Sequence, residues 1–409
     1  MKIEEFLEKS LTSFHAVQNC EKILLESNFK RLYLGDKWNL KKGGKYYLIK
    51  NDNSIIAFVI GDVKECFFNI AVTHTDSPAL LVKGKDFVYS DIGYKINVEA
   101  YGSMNYYTLL DTPLKLAGRI VVKDGKKLKS KIVQSNCSVI IPSLAIHQKR
   151  DINDGLKLSV QKDLLPLAGD VKDVYSFLQE KNIVDHELFL VSDIKPFRAG
   201  INKEYLCSPR IDDLISVWAA IKAISSCDAK GISIACCFDN EEIKSLTKQG
   251  ANSSLLPTVL NLIKESLSMP LEKYVGACEK GLMLSIDNSH SIHPAHPETS
   301  DIINQIHFDG GVVIKHNTTY CTDAYSSAQI KVLLQKNKIK YQDFYCNSDI
   351  ECATTLGPYS SSLLHMNACD IGVAQLSMHS TVETIGYSDL ECLQKCCKVF
   401  FEAKFNCEN

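Results

Sequence analysis

The stretch that decides the fold is Gly231-Ile-Ser-Ile-Ala-Cys-Cys-Phe-Asp-Asn-Glu-Glu242, an apolar run that ends abruptly in polar residues. In open α/β sheets, ligands bind beyond the carboxyl ends of strands, so the adjacent Glu241 and Glu242 are placed for a catalytic or metal-binding role. A solvated acidic loop is the alternative reading of such a pair taken by itself. The larger apolar side chains alternate with smaller ones, as in a buried strand: Ile232, Ile234, Cys236 and Phe238.

The length and the charge of the chain restrict its organisation and its partners. A chain of 409 residues is long enough for two domains, because single cores usually stop growing at about 250–300 residues. Lys and Arg total 46 against 48 Asp and Glu, and no basic block is present to attract a phosphate backbone or an acidic membrane. We therefore expect two domains, no nucleic-acid partner and no membrane partner.

The N-terminal residues and the cysteines predict a soluble, cytoplasmic protein. Residues 1–10 carry acids where a signal peptide needs basic and then apolar residues, and no apolar run reaches the length of a membrane span. The 16 cysteines are scattered and contain no Cys-x-x-Cys pair. We expect reduced thiols rather than a disulfide framework or a cysteine zinc site.

Three further apolar runs lead into potential ligands. Residues 67–73 precede His74, residues 281–286 precede Asp287, and residues 371–378 precede His379. Each run is predicted to be a strand. After Pro209 a helical period begins with Asp212 and Asp213 in its first turn, where acids also suit the helix dipole.

A change in amino-acid composition between these runs predicts an inserted domain. From residue 79 to residue 204, short β-prone runs alternate with Lys, Gly, Asp and Asn, and Asp124-Gly125 is typical of a hairpin turn. We expect residues 1–78 and 205–409 to form one α/β domain and residues 79–204 to form a β-rich insertion. His147 lies in the insertion, far in sequence from the other candidate residues.

The residues at the ends of these elements form a metal-ligand set: His74, Asp212, Glu242, Asp287 and His379. Imidazole and carboxylate together suit zinc and also admit manganese or cobalt. A single zinc needs three protein ligands plus water, so five ligands predict two divalent ions that share one bridging carboxylate. The remaining acid, Glu241, is free to act as a general base.

Charge and geometry extend this hypothesis. Three carboxylates around two divalent cations leave one excess positive charge, which acidifies a bridging water and makes it a nucleophile near neutral pH. Asp76, two residues after His74, is suited to accept a hydrogen bond from the second imidazole nitrogen. A glycosidase that uses Glu241 and Glu242 as acid and nucleophile is disfavoured, because neighbours in an extended segment point to opposite sides.

Several motifs are spread over nearly the whole chain. They are Phe14-His-Ala-Val17, His74-Thr-Asp-Ser-Pro78, Leu116-Ala-Gly-Arg119, Ala145-Ile-His147, Arg210-Ile-Asp212, Phe238-Asp-Asn-Glu-Glu242, Asp287 with His290 and His293-Pro294, and Met378-His-Ser380. Together they resemble the aspartyl aminopeptidase family. The resemblance implies a zinc-exopeptidase-like fold, a mixed sheet flanked by helices, with the β-rich insertion serving as a dimerisation domain and dimers assembling into a dodecamer.

The resemblance also implies a role for each candidate residue. Asp212 would bridge the metals, His74 and Asp287 would complete one site, and Glu242 and His379 the other. Glu241 would be the general base. His147 would reach the active site of a neighbouring subunit, and Lys315 and Tyr320 would face the substrate; a surface lysine and a packed tyrosine are the alternatives for the last two.

The leading hypothesis is a dinuclear aminopeptidase that removes an N-terminal residue, expected to be Asp or Glu, from peptides. An amidase or deacylase with the same centre and a non-catalytic scaffold assembly are the alternatives. Some positions depart from the family pattern around the substrate pocket and leave the acidic preference open. They are Leu109-Leu-Asp-Thr112, Asp213, Lys244, Asn347 and Ala353.

Overall fold

The computed structural model describes residues 1–64 and 66–405. The helices are α1 (Ile3–Lys9), α2 (Ser13–Glu26), α3 (Val160–Asp163), α4 (Val174–Leu178), α5 (Ile211–Ser226), α6 (Leu255–Ser266), α7 (Leu271–Glu279), α8 (Ala324–Lys336), α9 (Leu356–Leu364) and α10 (Tyr387–Glu402). Short 3₁₀ turns cover Tyr106–Leu109, Ile152–Asp154, Glu241–Ile243 and Pro297–Thr299.

The strands of the first half of the chain are β1 (Lys30–Arg31), β2 (Lys45–Lys50), β3 (Ser54–Ile60), β4 (Phe68–His74), β5 (Ala79–Val82), β6 (Val88–Ser90), β7 (Gly93–Lys95), β8 (Val98–Tyr101), β9 (Leu114–Asp124), β10 (Lys127–Val139), β11 (Leu167–Gly169), β12 (Ile183–Ser192) and β13 (Phe197–Ala199). Those of the second half are β14 (Tyr205–Ser208), β15 (Ile232–Phe238), β16 (Leu282–Ile286), β17 (Ser289–His290), β18 (Val312–His316), β19 (Tyr341–Tyr345), β20 (Ala368–Gly372), β21 (Ala374–Leu376) and β22 (Glu383–Gly386).

A mixed sheet forms the centre of the molecule. Its strand order is β1-β2-β3-β15-β4-β16-β20-β18-β19. The neighbours β15, β4, β16 and β20 run parallel, and β3 and β18 flank them in antiparallel pairing. The carboxyl ends of four neighbouring strands therefore meet at one edge, where ligands bind in α/β proteins.

Period-two alternation along these strands builds a hydrophobic core on each face of the sheet. In β15, Ala235 and Cys237 pack with α2, α5 and α10 on one face. The alternate residues of the same strand pack with α6, α7 and α9 on the other face of the sheet: Ile232, Ile234, Cys236 and Phe238. The described residues thus form the mixed α/β fold that the sequence predicts, with helices on both faces.

The insertion has a separate core and a sheet with the strand order β10-β9-β12-β5-β8. The turn predicted at Asp124-Gly125 joins β9 to β10, whose residues pair as an antiparallel hairpin. Strand β13 lies before residue 205, yet it pairs with β14 in a small sheet that also contains β22, β21 and β17. The return of the chain to the α/β domain therefore begins at β13.

Two expectations are wrong at this level. Residues 371–378 do not form one strand, because Val373 separates β20 of the central sheet from β21 of the small sheet. Cys346 and Cys352 form a disulfide rather than two thiols, since the turn after β19 brings their Cα atoms to 6.2 Å. Cys407 lies outside the described residues. Within those residues, no helix has the length and apolarity needed to span a membrane.

Candidate metal centre

Strand register brings the sequence-predicted ligands to one edge of the central sheet. His74 is the last residue of β4 and lies in register with Phe238, the last residue of β15. The acidic turn that follows β15 therefore starts beside the imidazole. Strand β16 pairs with the other side of β4, and Asp287 directly follows it.

Asp212 lies between the two histidines. The Nε2 atom of His74 is 3.6 Å from its Oδ1, and the Nε2 atom of His379 is 3.4 Å from its Oδ2. Asp287 Oδ1 is 3.9 Å from His74 Nε2, and Glu242 Oε1 is 3.2 Å from His379 Nε2. The five residues thus form two triads that share Asp212, each compact enough to hold an ion: His74, Asp212, Asp287 and Asp212, Glu242, His379.

The residues present fit divalent ions. Asp212 Oδ1 and Glu242 Oε1 are buried oxygens without a hydrogen-bond partner among the described residues. Buried carboxylate oxygens without partners are costly, and a cation compensates them. Imidazole and carboxylate ligands match the preference of zinc and do not exclude manganese.

The same proximity shifts the pKa values of these side chains. Burial acts to raise the pKa of Asp212, but the close imidazoles of His379 and His74 and their charges hold it below its usual range. Burial acts to lower the pKa of His379, but Glu242 and Asp212 raise it to about 12. Burial and the neighbouring acids Asp287 and Glu242 raise the pKa of Glu241. The pKa values of these carboxylates and imidazoles are therefore shifted by one another, as expected of a functional site.

Asp212 and Asp213 do not have the conformation of a helical first turn. Both have non-helical dihedral angles although they lie within the bounds of α5, and the peptide bond between them is cis. Asp213 is fully buried, and its Oδ2 accepts a hydrogen bond from the backbone N–H of His74 at 3.3 Å. Helix α5 therefore begins irregularly where it places Asp212 between the two histidines.

The predicted opposition of Glu241 and Glu242 is wrong. They lie in a 3₁₀ turn rather than an extended segment, because Asn240 adopts the left-handed conformation (φ 66°) and ends the strand direction. One carboxylate oxygen of each glutamate lies within 4.8 Å of a His74 ring nitrogen and of the other glutamate's oxygen. The geometric argument against a glycosidase therefore fails, and the histidines of the site argue against it instead.

Asp76 has a different principal contact from the predicted one. Its backbone carbonyl accepts the hydrogen bond of His74 Nδ1 at 3.0 Å, while its carboxylate Oδ1 is 3.5 Å from that nitrogen. The carboxylate accepts hydrogen bonds from the backbone N–H groups of Glu241 at 3.1 Å and Glu242 at 3.2 Å. Asp76 thus fixes the glutamate turn as well as the imidazole.

Glu383 is a supporting residue that the sequence-based ligand set omits. Its carboxylate accepts hydrogen bonds from the backbone N–H of His379 at 2.7 Å and of Asp212 at 2.9 Å. Burial and the charge of Asp212 raise its pKa to about 8. Its spacing of four residues after His379 is visible in the sequence, but the contact with Asp212 depends on the pairing of β22 with β14.

Lys315 and Tyr320 lie next to the metal-ligand cluster. His147 lies away from the cluster of its own chain. Lys315 Nζ is 3.6 Å from Asp287 Oδ2 and 5.3 Å from the ring centroid of Tyr320. His147 lies in an exposed loop of the insertion between β10 and α3 and is not part of either triad.

A mixed sheet with helices on both faces, and with imidazole and carboxylate clusters beyond its parallel strands, is the architecture of a metal-dependent hydrolase. Residues 6–401 match the family Aminopeptidase I zinc metalloprotease (M18). The chain belongs to this family and is an M18 aminopeptidase, a zinc metallopeptidase. The resemblance read from the sequence is confirmed.

Similar proteins cover nearly the full length. The probable M18 family aminopeptidase 2 of Clostridium novyi is 38% identical over 407 residues, which are 94% of each chain. The protein of the same description from Clostridium acetobutylicum is 34% identical over 422 residues, or 98% of each chain.

Solved structures show the same architecture. The chain in the cryo-EM structure of the Ape4 and Nbr1 complex has a TM-score of 0.93 and 29% identity, covering 97% of this chain and 84% of that chain. The chain of the S. cerevisiae mApe1 dodecamer has a TM-score of 0.82 and 25% identity, covering 97% of this chain and 95% of that chain.

Proposed function

We propose that this aminopeptidase removes an acidic N-terminal residue, Asp or Glu, from peptides and uses two divalent ions to do so. The observation that carries the proposal is Asp212, whose two carboxylate oxygens each face a different histidine. When bound, two ions about 3.5–4 Å apart would lower the pKa of a water, polarise the scissile carbonyl and anchor a free amine.

The protein residues have separate tasks in this proposal. Asp212 holds both sites, His74 and Asp287 complete one, and Glu242 and His379 complete the other. Glu241 accepts the proton of the attacking water and donates it to the leaving nitrogen. Its carboxylate lies beside His74 and Glu242, where it can reach a water held between the two sites.

The proposed acidic preference depends on Lys315. This lysine is buried, and Asp287 and Tyr320 raise its pKa against the effect of burial, so it is a fixed positive charge beside the centre. A fixed cation beside a substrate pocket favours an acidic side chain. The ring of Tyr320 lies beside this charge, with its centroid 5.3 Å from Lys315 Nζ.

A substrate and metal panel tests the function. Chromogenic amides of Asp, Glu, Ala, Leu and Lys would be assayed with zinc, manganese and cobalt, and the best peptide substrate would also be assayed after N-acetylation. We expect Asp and Glu to be cleaved fastest, N-acetylation to abolish cleavage, and metal analysis to give two ions per chain. Equal rates with the acetylated peptide would instead indicate an amidase or deacylase, and no turnover at two bound ions would indicate a scaffold.

We also propose that the chain forms a dodecamer in the cytoplasm. The mApe1 of S. cerevisiae forms such an assembly. The exposed loop that carries His147 would then reach the active site of a neighbouring subunit. Light scattering should give the mass of twelve chains of 45.7 kDa, about 550 kDa.

A further inference from the structure

Tyr101 connects the insertion to the metal centre. It is the last residue of β8, is 8% exposed, and packs edge-on against Phe189 of β12 with ring centroids 5.4 Å apart. Both strands belong to the sheet of the insertion. The ring of Tyr101 is therefore held by the insertion, independently of the contacts that its hydroxyl makes.

The hydroxyl of Tyr101 reaches the α/β domain. It donates a hydrogen bond to Asp76 Oδ2 at 2.7 Å and accepts one from Asn240 Nδ2 at 2.8 Å. Asp76 is 4% exposed and Asn240 is 8% exposed, so both bonds are shielded from water. Buried hydrogen bonds of this kind fix geometry, because the groups have no solvent to replace the lost partner.

The two partners of the hydroxyl flank the glutamate pair. The Asp76 carboxylate accepts hydrogen bonds from the backbone N–H groups of Glu241 and Glu242. Asn240 precedes the pair in the left-handed conformation, and its Oδ1 accepts hydrogen bonds from Thr247 Oγ1 at 2.8 Å and Gln249 Nε2 at 2.9 Å. A displacement of either partner would move the backbone that carries both carboxylates.

We propose that Tyr101 is a positioning residue through which the insertion sets the orientation of Glu241 and Glu242. It acts through its hydrogen bonds with Asp76 and Asn240. The inference rests on the proposed function, in which Glu242 binds a metal and Glu241 moves the proton. Groups that hold metal ligands by hydrogen bonds typically change metal affinity or activity by about 10–100-fold when they are removed.

The test is Tyr101→Phe in the full-length chain, which keeps the ring contact with Phe189 and deletes only the hydroxyl. Tyr107→Phe is the matched control. Tyr107 lies in the 3₁₀ turn Tyr106–Leu109, which follows β8, and it is 63% exposed. Zinc dissociation constants, kcat and KM at saturating zinc, and metal-free melting temperatures would be measured for both variants and the unaltered protein.

We expect Y101F to raise the dissociation constant of the weaker zinc about tenfold and to lower kcat about tenfold, with KM changed less than about twofold. The metal-free melting temperature of Y101F should stay close to that of Y107F. An unchanged zinc affinity and kcat would overturn the proposal. A fall in melting temperature that accounts for the lost activity would also overturn it, since Tyr101 would then be structural.

The two proposals fail separately. If the unaltered protein shows no aminopeptidase activity on the substrate panel, the proposed function fails, while a weaker zinc affinity in Y101F would still support the positioning role. If the panel supports the aminopeptidase and Y101F binds zinc like Y107F, only the positioning role fails.

Discussion

Glu241 has the position and the environment of a proton acceptor. It is half-buried beside His74, and its pKa is raised by desolvation and by the acids around it. We predict that Glu241→Gln lowers kcat about 10²–10⁴-fold, the usual contribution of a general base, while both ions remain bound. Steady-state kinetics and metal analysis of the same preparation check this; a kcat within about tenfold of the original at full metal content would contradict the role.

Glu383 joins two proposed ligands, Asp212 and His379, that are far apart in sequence. Its two oxygens accept hydrogen bonds from the backbone N–H groups of Asp212 and His379. In Glu383→Gln, the amide NH₂ group must face one of these N–H groups and cannot accept its hydrogen bond. We predict a zinc dissociation constant about 10–100-fold higher, measured by competition with a chelator.

The control for this variant is Glu391→Gln, which removes an exposed carboxylate from α10. It should bind zinc with the affinity of the unaltered protein. Equal affinities for all three proteins would show that the contacts of Glu383 do not hold the centre.

At the scale of elements, helix α2 contains a half-buried titratable group, His15. Burial, with the nearby charges of Arg210 and Lys22, lowers its pKa from 6.5 to about 4. The unfolded chain therefore binds a proton below about pH 6.5 that the folded chain does not accept until about pH 4. The contribution of neutral His15 to stability is complete above pH 6.5 and is lost as the pH falls towards 4.

We predict that His15→Gln, which cannot titrate, is less sensitive to acid than the unaltered protein. Between pH 7 and pH 5, the unaltered protein should lose about 1 kcal/mol more of its unfolding free energy than the variant, after a reduction for the partial exposure of His15. Urea unfolding at both pH values, with metal-free protein throughout, measures the difference. Equal losses would mean that His15 is protonated in the folded chain.

The turn after β8 places the backbone of the insertion against Glu242, a proposed metal ligand. Gly102 has φ +74°, and a Cβ atom added there would lie 3.1 Å from Glu242 Cβ. Gly125, in the β9–β10 turn, has φ +60° and would have no atom within 4 Å of an added Cβ. Alanine substitutions at Gly102 and Gly125 therefore separate the effect of backbone strain from the effect of contact with Glu242.

We predict that Gly102→Ala and Gly125→Ala each cost about 1 kcal/mol of stability, because alanine is disfavoured at positive φ. Only Gly102→Ala should also weaken zinc binding, by about tenfold, since it displaces Glu242. Urea unfolding and zinc titration of both variants provide the comparison. Equal zinc affinities would show that the turn does not constrain the ligand.

The sequence predicts those parts of the fold and site that depend on local patterns. The alternation at Ile232, Ile234, Cys236 and Phe238 predicts a strand, and the structure has β15 at Ile232–Phe238. The proposed ligands are recognisable because each lies where an element begins or ends. The orientation of the Glu241 turn depends on the left-handed Asn240, on Asp76 and on the hydroxyl of Tyr101. These contacts join three separate segments, so no local pattern reveals them.

At the scale of the whole molecule, the insertion has two relations to the centre. Within the chain, Tyr101 and Gly102 lie against Asp76 and Glu242. His147, in contrast, lies in an exposed loop and does not join the centre of its own chain. A histidine in this position can serve catalysis only if the assembly brings it to another subunit.

Mixed assemblies test this arrangement. We predict that His147→Ala and Glu241→Gln chains are each nearly inactive as pure assemblies but regain activity when coexpressed. A His147→Ala chain keeps its own Glu241 and can receive the missing histidine from a Glu241→Gln neighbour. With equal expression and random assembly, half of the chains carry Glu241 and half of their neighbours carry His147, so about a quarter of the sites should be active. If His147 acted within its own chain, no mixture could exceed the activity of the two pure variants, because every chain would lack one of the two groups.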